Sequence, residues 1–231
     1  MRDLLAEPPV IIVGCPRSGT CLVARLIGSA PNVCLITEHT NKRRDCPEDV
    51  SGILDEELWR NHPSETIERV YSVVADEKRL AIKNPGHILR VSALKQMFPT
   101  ARFVFVHRGK EDVIASMTRH NKRAFILPIA GLETNNDLRA SAEIVWDECQ
   151  KVSQQERSSA NWLEVRYESL VASPKKTIEE LYRKLGLGKP DERILSIISP
   201  RKQPKPSAPS RKPWWAMRSA FRRLSSARVP V

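Results

Sequence analysis

Pro9-Val10-Ile11-Ile12-Val13-Gly14-Cys15-Pro16-Arg17-Ser18-Gly19-Thr20 runs from an apolar, β-branched segment into a turn, and Leu22, Val23, Leu26 and Ile27 then recur at helical spacing. The first five residues read as a buried strand. The helix is expected to end near Gly28, with Pro31 just beyond. A glycine-bearing turn between strand and helix lets backbone N–H groups converge on a phosphate, and the helix N-terminus adds a favourable dipole. Ser18 and Thr20 offer hydroxyl donors there and Arg17 offers charge. In the nucleoside-triphosphate loop, Gly-x4-Gly-Lys-Ser/Thr, a lysine follows the second glycine; here Thr20 does, so the lysine for the β- and γ-phosphates is missing. The strand expected to carry a metal-binding acid ends instead in His107-Arg108. ATP hydrolysis and phosphoryl transfer are thereby disfavoured. The loop still reads as an anion cradle.

Outward from that loop, strands and helices alternate. Leu80 to Ile82 reads as a short strand ending at Lys83-Asn84-Pro85, followed by a helix through Ile88, Val91, Leu94 and Met97. Arg102 to His107 reads as a second buried strand, and a helix follows from about Lys110 to Arg119. A long helix is expected over 136–156, a strand over Trp162 to Tyr167, and a helix over 174–186 stopped by Gly186. Helical patterns also occupy about 50–60 and 64–77, the second opening on Ser64 as N-cap. This order predicts an α/β fold of the P-loop type in three layers, with a parallel central sheet and helices on both faces. Ligands in such sheets bind at the carboxyl ends of the strands. Gly14–Thr20, Lys83 and Arg108 all fall there.

The chain has 231 residues and a net charge of +11, but the charge is unevenly placed. Residues 201–231 hold nine basic side chains and no acid; removing these nine from the 38 basic residues leaves 29 against 27 acidic ones. A nearly neutral body therefore carries a basic tail. We divide the chain into an α/β domain over 1–200 and a basic, Pro/Arg-rich segment over 201–231. A solvated tail, a lid over an anionic ligand and a nucleic-acid contact all remain readings of that segment. No apolar run is long enough to span a membrane, and Pro8 to Val13 is too short for a signal peptide. Five cysteines in an odd, scattered set without a close CxxC pair speak against a disulfide framework or zinc ribbon and fit a reducing cytoplasm.

Three spaced motifs resemble those of the PAPS-dependent sulfotransferases, especially the bacterial carbohydrate-type and tyrosylprotein-type branch. Gly14-Cys15-Pro16-Arg17-Ser18-Gly19-Thr20 is similar to that family's 5′-phosphosulfate loop. Arg102 to Arg108, followed by Asp112 to Ser116, resembles its 3′-phosphate motif. Arg166-Tyr167-Glu168-Ser169-Leu170 resembles its later Tyr-Glu-x-Leu segment. The resemblance implies PAPS as donor, adenosine 3′,5′-bisphosphate as product, and no metal. It places Arg17, Ser18, Gly19, Thr20 and Cys21 at the 5′ end, and Arg108 and Ser116 at the 3′-phosphate. Tyr167 reads either as nucleotide support near the base or 3′-phosphate, or as a core tyrosine. Two departures stand out: Cys21 replaces a common second threonine, and Arg108-Gly109-Lys110-Glu111-Asp112 replaces Arg-Asp-Pro-Arg-Asp.

Sulfuryl transfer needs alignment and charge stabilisation more than covalent catalysis. The resemblance makes Lys83 the cation at the leaving oxygen and Glu38 the base that takes the acceptor's proton, with His39 the rival. Pro85 stands where cytosolic aryl and steroid sulfotransferases carry their base histidine. Arg211 and Lys212 resemble the basic closing segment of the 3′-phosphate site, although Pro213 occupies an expected glycine. Trp214, Met217, Phe221 and Leu224 share one helical face, which either docks on the core or lies on a membrane surface. The expectation is a cytoplasmic transferase, with peripheral membrane contact through the tail as an option. Its acceptor is a small molecule or glycan, carbohydrate or glycolipid before protein tyrosine, and no nucleic-acid partner is expected. The alternatives are a P-loop nucleotide kinase and a basic nucleic-acid-binding protein.

Overall fold

The computed structural model describes residues 7–37, 78–119 and 137–195, with Glu65, Glu68, Val74 and Ile198. Five strands form one sheet: β1 (Val10–Val13), β2 (Val33–Thr37), β3 (Arg79–Lys83), β4 (Arg102–His107) and β5 (Trp162–Arg166). Their order is β2-β3-β1-β4-β5 and every pairing is parallel. Helices α1 (Thr20–Ile27), α2 (Val91–Met97), α3 (Lys110–Arg119), α4 (Leu138–Glu156), α5 (Tyr167–Ala172), α6 (Pro174–Leu185) and α7 (Glu192–Leu195) complete the described elements, with a 3-10 helix at Pro85–Arg90. The segments 38–62 and 120–136, the 50–60 helix and the tail lie outside the described residues. Of 64–77, Glu65 and Glu68 are helical.

The period-2 side-chain alternation of a strand explains the three layers. Ile11 and Val13 of β1 join one apolar cluster with Phe103, Phe105, Val113, Met117 and Val145, under α3 and α4. Val10 and Ile12 join the other with Val104, Val23, Leu26, Ile178 and Leu181, under α1 and α6. All four β1 residues are fully buried, and burying each such side chain stabilises by roughly 1.5–3 kcal/mol. A strand buried on both faces is apolar throughout, which is why β1 and β4 read so clearly.

The sheet departs from the expected elements in three places. Val33–Thr37 is an additional strand, so Lys83 ends the third strand and Arg108 follows the fourth. The helix after Lys83 is two pieces, the 3-10 turn and α2, because Asn84 accepts from the Gly86 N–H and starts a tight turn at Pro85. Tyr167 is not a strand end: β5 stops at Arg166, and Tyr167 opens α5. Two expected helices fall where they were read, α3 spanning Lys110–Arg119 and α6 closing on Gly186 in a left-handed cap with φ 72°.

Candidate active site

Strand order reverses on either side of β1, and the crevice at its carboxyl end is the place where such folds bind ligands. The Gly14–Gly19 loop fills that crevice. The Ser18 N–H donates to the Cys15 carbonyl at 3.0 Å, and Gly19, with φ 99°, opens α1. Gly19 has no alternative: a Cβ there would lie 2.5 Å from Cδ2 of Tyr167. Arg17 is the one described non-glycine residue with positive φ, 73°. A left-handed residue in a turn tilts successive N–H groups into one concavity, the geometry of an anion nest. Ser18 and Thr20 are buried beside it. Cys15, fully buried within the loop, carries a free thiol that shares a hydrogen bond with the free thiol of Cys149. Burial, then this bond and the Cys149 charge, push the Cys15 pKa well up, so it packs as an apolar wedge.

A second basic group stands against the first. Arg17 Nε donates to Ser116 Oγ of α3 at 3.2 Å. Arg108 Nη1 donates to the Arg17 carbonyl at 3.2 Å, and its guanidinium lies 4.4 Å from the centre of the Tyr167 ring. Tyr167 therefore touches Gly19 on one side and Arg108 on the other. Arg108 Nε is buried and has no hydrogen-bond partner among the described residues. A buried donor left open costs free energy unless something accepts from it. With Arg108 and Ser116 both bonded to Arg17, that open donor fits a phosphate oxygen. The Asp112 carboxylate, 3.5 Å from Arg108 and mostly exposed, is a weak competitor.

Lys83 completes the group. It pairs with Thr37 and Ile12 in the sheet register, and its side chain, 1% exposed, donates from Nζ to Cys21 Sγ at 3.0 Å. Cys21, which removes a hydroxyl from the helix start, thus accepts from Lys83. His107 turns away from the loop, its Nδ1 lying 3.1 Å from Gln150 Oε1. Lys110 likewise bonds Asp147 at 2.7 Å rather than the loop.

The sheet edge thus brings Arg17, Ser18, Gly19, Thr20, Cys21, Lys83, Arg108, Ser116 and Tyr167 together. Glu38, His39, Arg211 and Lys212 lie outside the described residues. Sequence reading missed His87, fully buried four residues after Lys83; a histidine one helical turn beyond a strand-end lysine was the available signal. It also missed Trp146, whose indole reaches the Arg108 carbonyl.

A model of the Sulfotransferase family matches residues 8–191, from β1 through every motif above. The chain belongs to that family. The three motifs read in the sequence fall on the loop, the β4–α3 junction and the β5–α5 junction just described. One relative is the omega-hydroxy-beta-dihydromenaquinone-9 sulfotransferase Stf3 of Mycobacterium tuberculosis, 25% identical over 135 residues, 57% of this chain and 34% of that protein. A putative protein-tyrosine sulfotransferase of Caenorhabditis briggsae is 25% identical over 194 residues, 78% of this chain and 66% of that one. The chain thus spans about a third of the mycobacterial sulfotransferase and two thirds of the nematode one. The crystal structure of mouse sulfotransferase SULT7A1 complexed with PAP shares the fold at a TM-score of 0.52 and 18% identity, over 84% of this chain and 64% of that one. Among the described residues, no helix is long and apolar enough to cross a membrane and no cluster of His, Cys, Asp and Glu is placed to hold a metal.

Proposed function

We propose that this chain transfers a sulfuryl group from PAPS to a hydroxyl acceptor and releases adenosine 3′,5′-bisphosphate (PAP). When bound, PAPS supplies the sulfuryl group and carries phosphate at both ends of one nucleoside. The observation that carries the reading is that Arg17, in the first loop, contacts both Ser116 and Arg108 of the second basic group. Two cradles joined by one arginine suit one ligand with two anionic ends. PAP in the mouse relative supports the same donor.

In this reading the loop N–H groups with Ser18 and Thr20 hold the 5′ end. Arg108, with its open Nε, and Ser116 hold the 3′-phosphate. The family resemblance assigns Arg211 and Lys212 to the same phosphate. Lys83 sits under the loop, where a buried ammonium favours negative charge developing on the leaving oxygen. Glu38, directly after β2, takes the proton from the acceptor, with His39 as the rival. The acceptor is a small molecule or glycan, carbohydrate or glycolipid first; the mycobacterial relative's name points to a hydroxylated lipid and the nematode's to protein tyrosine.

The test is a thermal-shift panel with PAP, ATP–Mg²⁺ and AMP, since a ligand selective for the folded state raises the melting temperature by mass action. PAP is expected to stabilise most. Lys83→Ala and Glu38→Gln are expected to lose turnover while keeping PAP affinity, and Arg108→Ala to lose affinity. A larger shift with ATP–Mg²⁺ than with PAP would overturn the reading.

A further inference from the structure

Arg108 owes its aim to the peptide bond that follows it, and that bond is held at both ends by side chains from two distant elements. At one end, Trp146 Nε1–H of α4 donates to the Arg108 carbonyl at 3.2 Å. At the other, the Gly109 N–H donates to Glu168 Oε1 of α5 at 2.9 Å. The Gly109 carbonyl meanwhile accepts from the Val113 N–H at 3.2 Å, the first turn of α3.

We propose that Trp146 and Glu168 are positioning residues that set the preference of the site for a 3′-phosphorylated nucleotide by locking the Arg108–Gly109 peptide plane. This rests on the donor reading above. A glycine on one side of the bond makes the plane intrinsically free to turn. A hydrogen bond at one end alone leaves a swivel about that contact. Bonds at both ends, from different elements, remove it. With this plane fixed on one side and His107 held at the end of β4 on the other, the Arg108 Cα–Cβ direction is fixed, and the guanidinium is carried to the Tyr167 ring and the Arg17 carbonyl before any ligand arrives. Ordering completed in advance is ordering that binding need not supply.

The surroundings agree with this role. Trp146 is itself held in place: Lys110 Nζ lies 5.2 Å from its ring centre, and the His107 ring meets it edge-on at 6.4 Å. Glu168 adjoins Tyr167 in sequence, so one short helix presents both the ring under Arg108 and the carboxylate on the next amide. Burial raises the Glu168 pKa, but the Gly109 N–H, its own N–H and the neighbouring His107 and Arg108 outweigh that and hold it low. Glu168 therefore remains an ionised acceptor at neutral pH, the stronger kind for an amide donor.

The experiment compares PAP with AMP by isothermal titration calorimetry, because the two nucleotides differ only at the 3′ position. Glu168→Ala and Trp146→Phe are each expected to weaken PAP binding by about three- to tenfold, the range for one hydrogen bond, and to leave AMP binding unchanged. Glu168→Gln, which keeps an acceptor oxygen, is expected to restore the preference. In an Arg108→Ala background neither change should cost anything further. Trp146→Phe keeps the ring that packs against Lys110 and His107, so it carries the test should Glu168→Ala fail to fold. Equal losses for both nucleotides, or losses that add fully to that of Arg108→Ala, overturn the proposal. A wild-type protein with no preference for PAP over AMP would instead overturn the donor reading beneath it.

Discussion

His87 is fully buried near Lys83, and burial first, then the lysine charge, holds its pKa down at about 4. In the unfolded chain an imidazole titrates near 6.5. Between these values the unfolded state binds more protons, so stability rises with pH across that window. The contribution is complete above about pH 6.5 and is lost as pH falls towards 4, a swing on the order of 3 kcal/mol. Thermal melts from pH 4.5 to 7.5 should show the wild type losing stability on the acid side and His87→Gln losing much less. Parallel profiles would mean that His87 takes up its proton as readily in the folded protein as in the unfolded chain.

At the scale of elements, α1 depends on how it begins. Gly19 combines φ 99° with contact to the Tyr167 ring, so Gly19→Ala adds left-handed strain and a clash. The strain alone costs about 1–2 kcal/mol. The variant should unfold at lower urea and bind PAP more weakly, and adding Tyr167→Ala should recover the clash but not the strain. Such pairings mark the limit of what the sequence made legible. β1, β4 and α3 were readable because each states its burial locally, as a β-branched run or a helical repeat. β2 was not: at the sheet edge only Val33 and Ile36 are buried, so its pattern is broken. Tyr167 was placed at a strand end because its aromatic ring suits a strand equally well. The phosphate loop was legible as glycines and hydroxyls at fixed spacing. The Trp146 and Glu168 contacts were not, since each joins a side chain to a backbone group 38 or 59 residues away and leaves no local signature.

At the scale of the molecule, the two ends of the sheet carry different duties. Lys83, the last residue of β3, faces the site, while Arg79, the first, gathers the opposite end about 13 Å away. Arg79 is buried, its Nε donating to the Pro8 carbonyl at 2.6 Å and its Nη1 to the Leu185 carbonyl at the end of α6, with Glu7 at 3.5 Å. It ties the lead-in to β1, β3 and the last turn of α6 together. Arg79→Ala removes two charged-donor hydrogen bonds to backbone carbonyls and should cost on the order of 3 kcal/mol by urea unfolding, with PAP affinity unchanged. Arg79→Lys should recover only part, because one ammonium lacks the fork that reaches both carbonyls. A fall in affinity matching the fall in stability would mean that the two ends are not independent.

The central position of β1 has a consequence for biosynthesis. Its hydrogen-bonding neighbours, β3 and β4, both come much later in the chain, so a fully apolar strand emerges from the ribosome long before either partner exists. At translation rates of about 5–20 residues per second this interval lasts several seconds. Over that interval the unpaired apolar segment is exposed to aggregation, the hazard that chaperones counter.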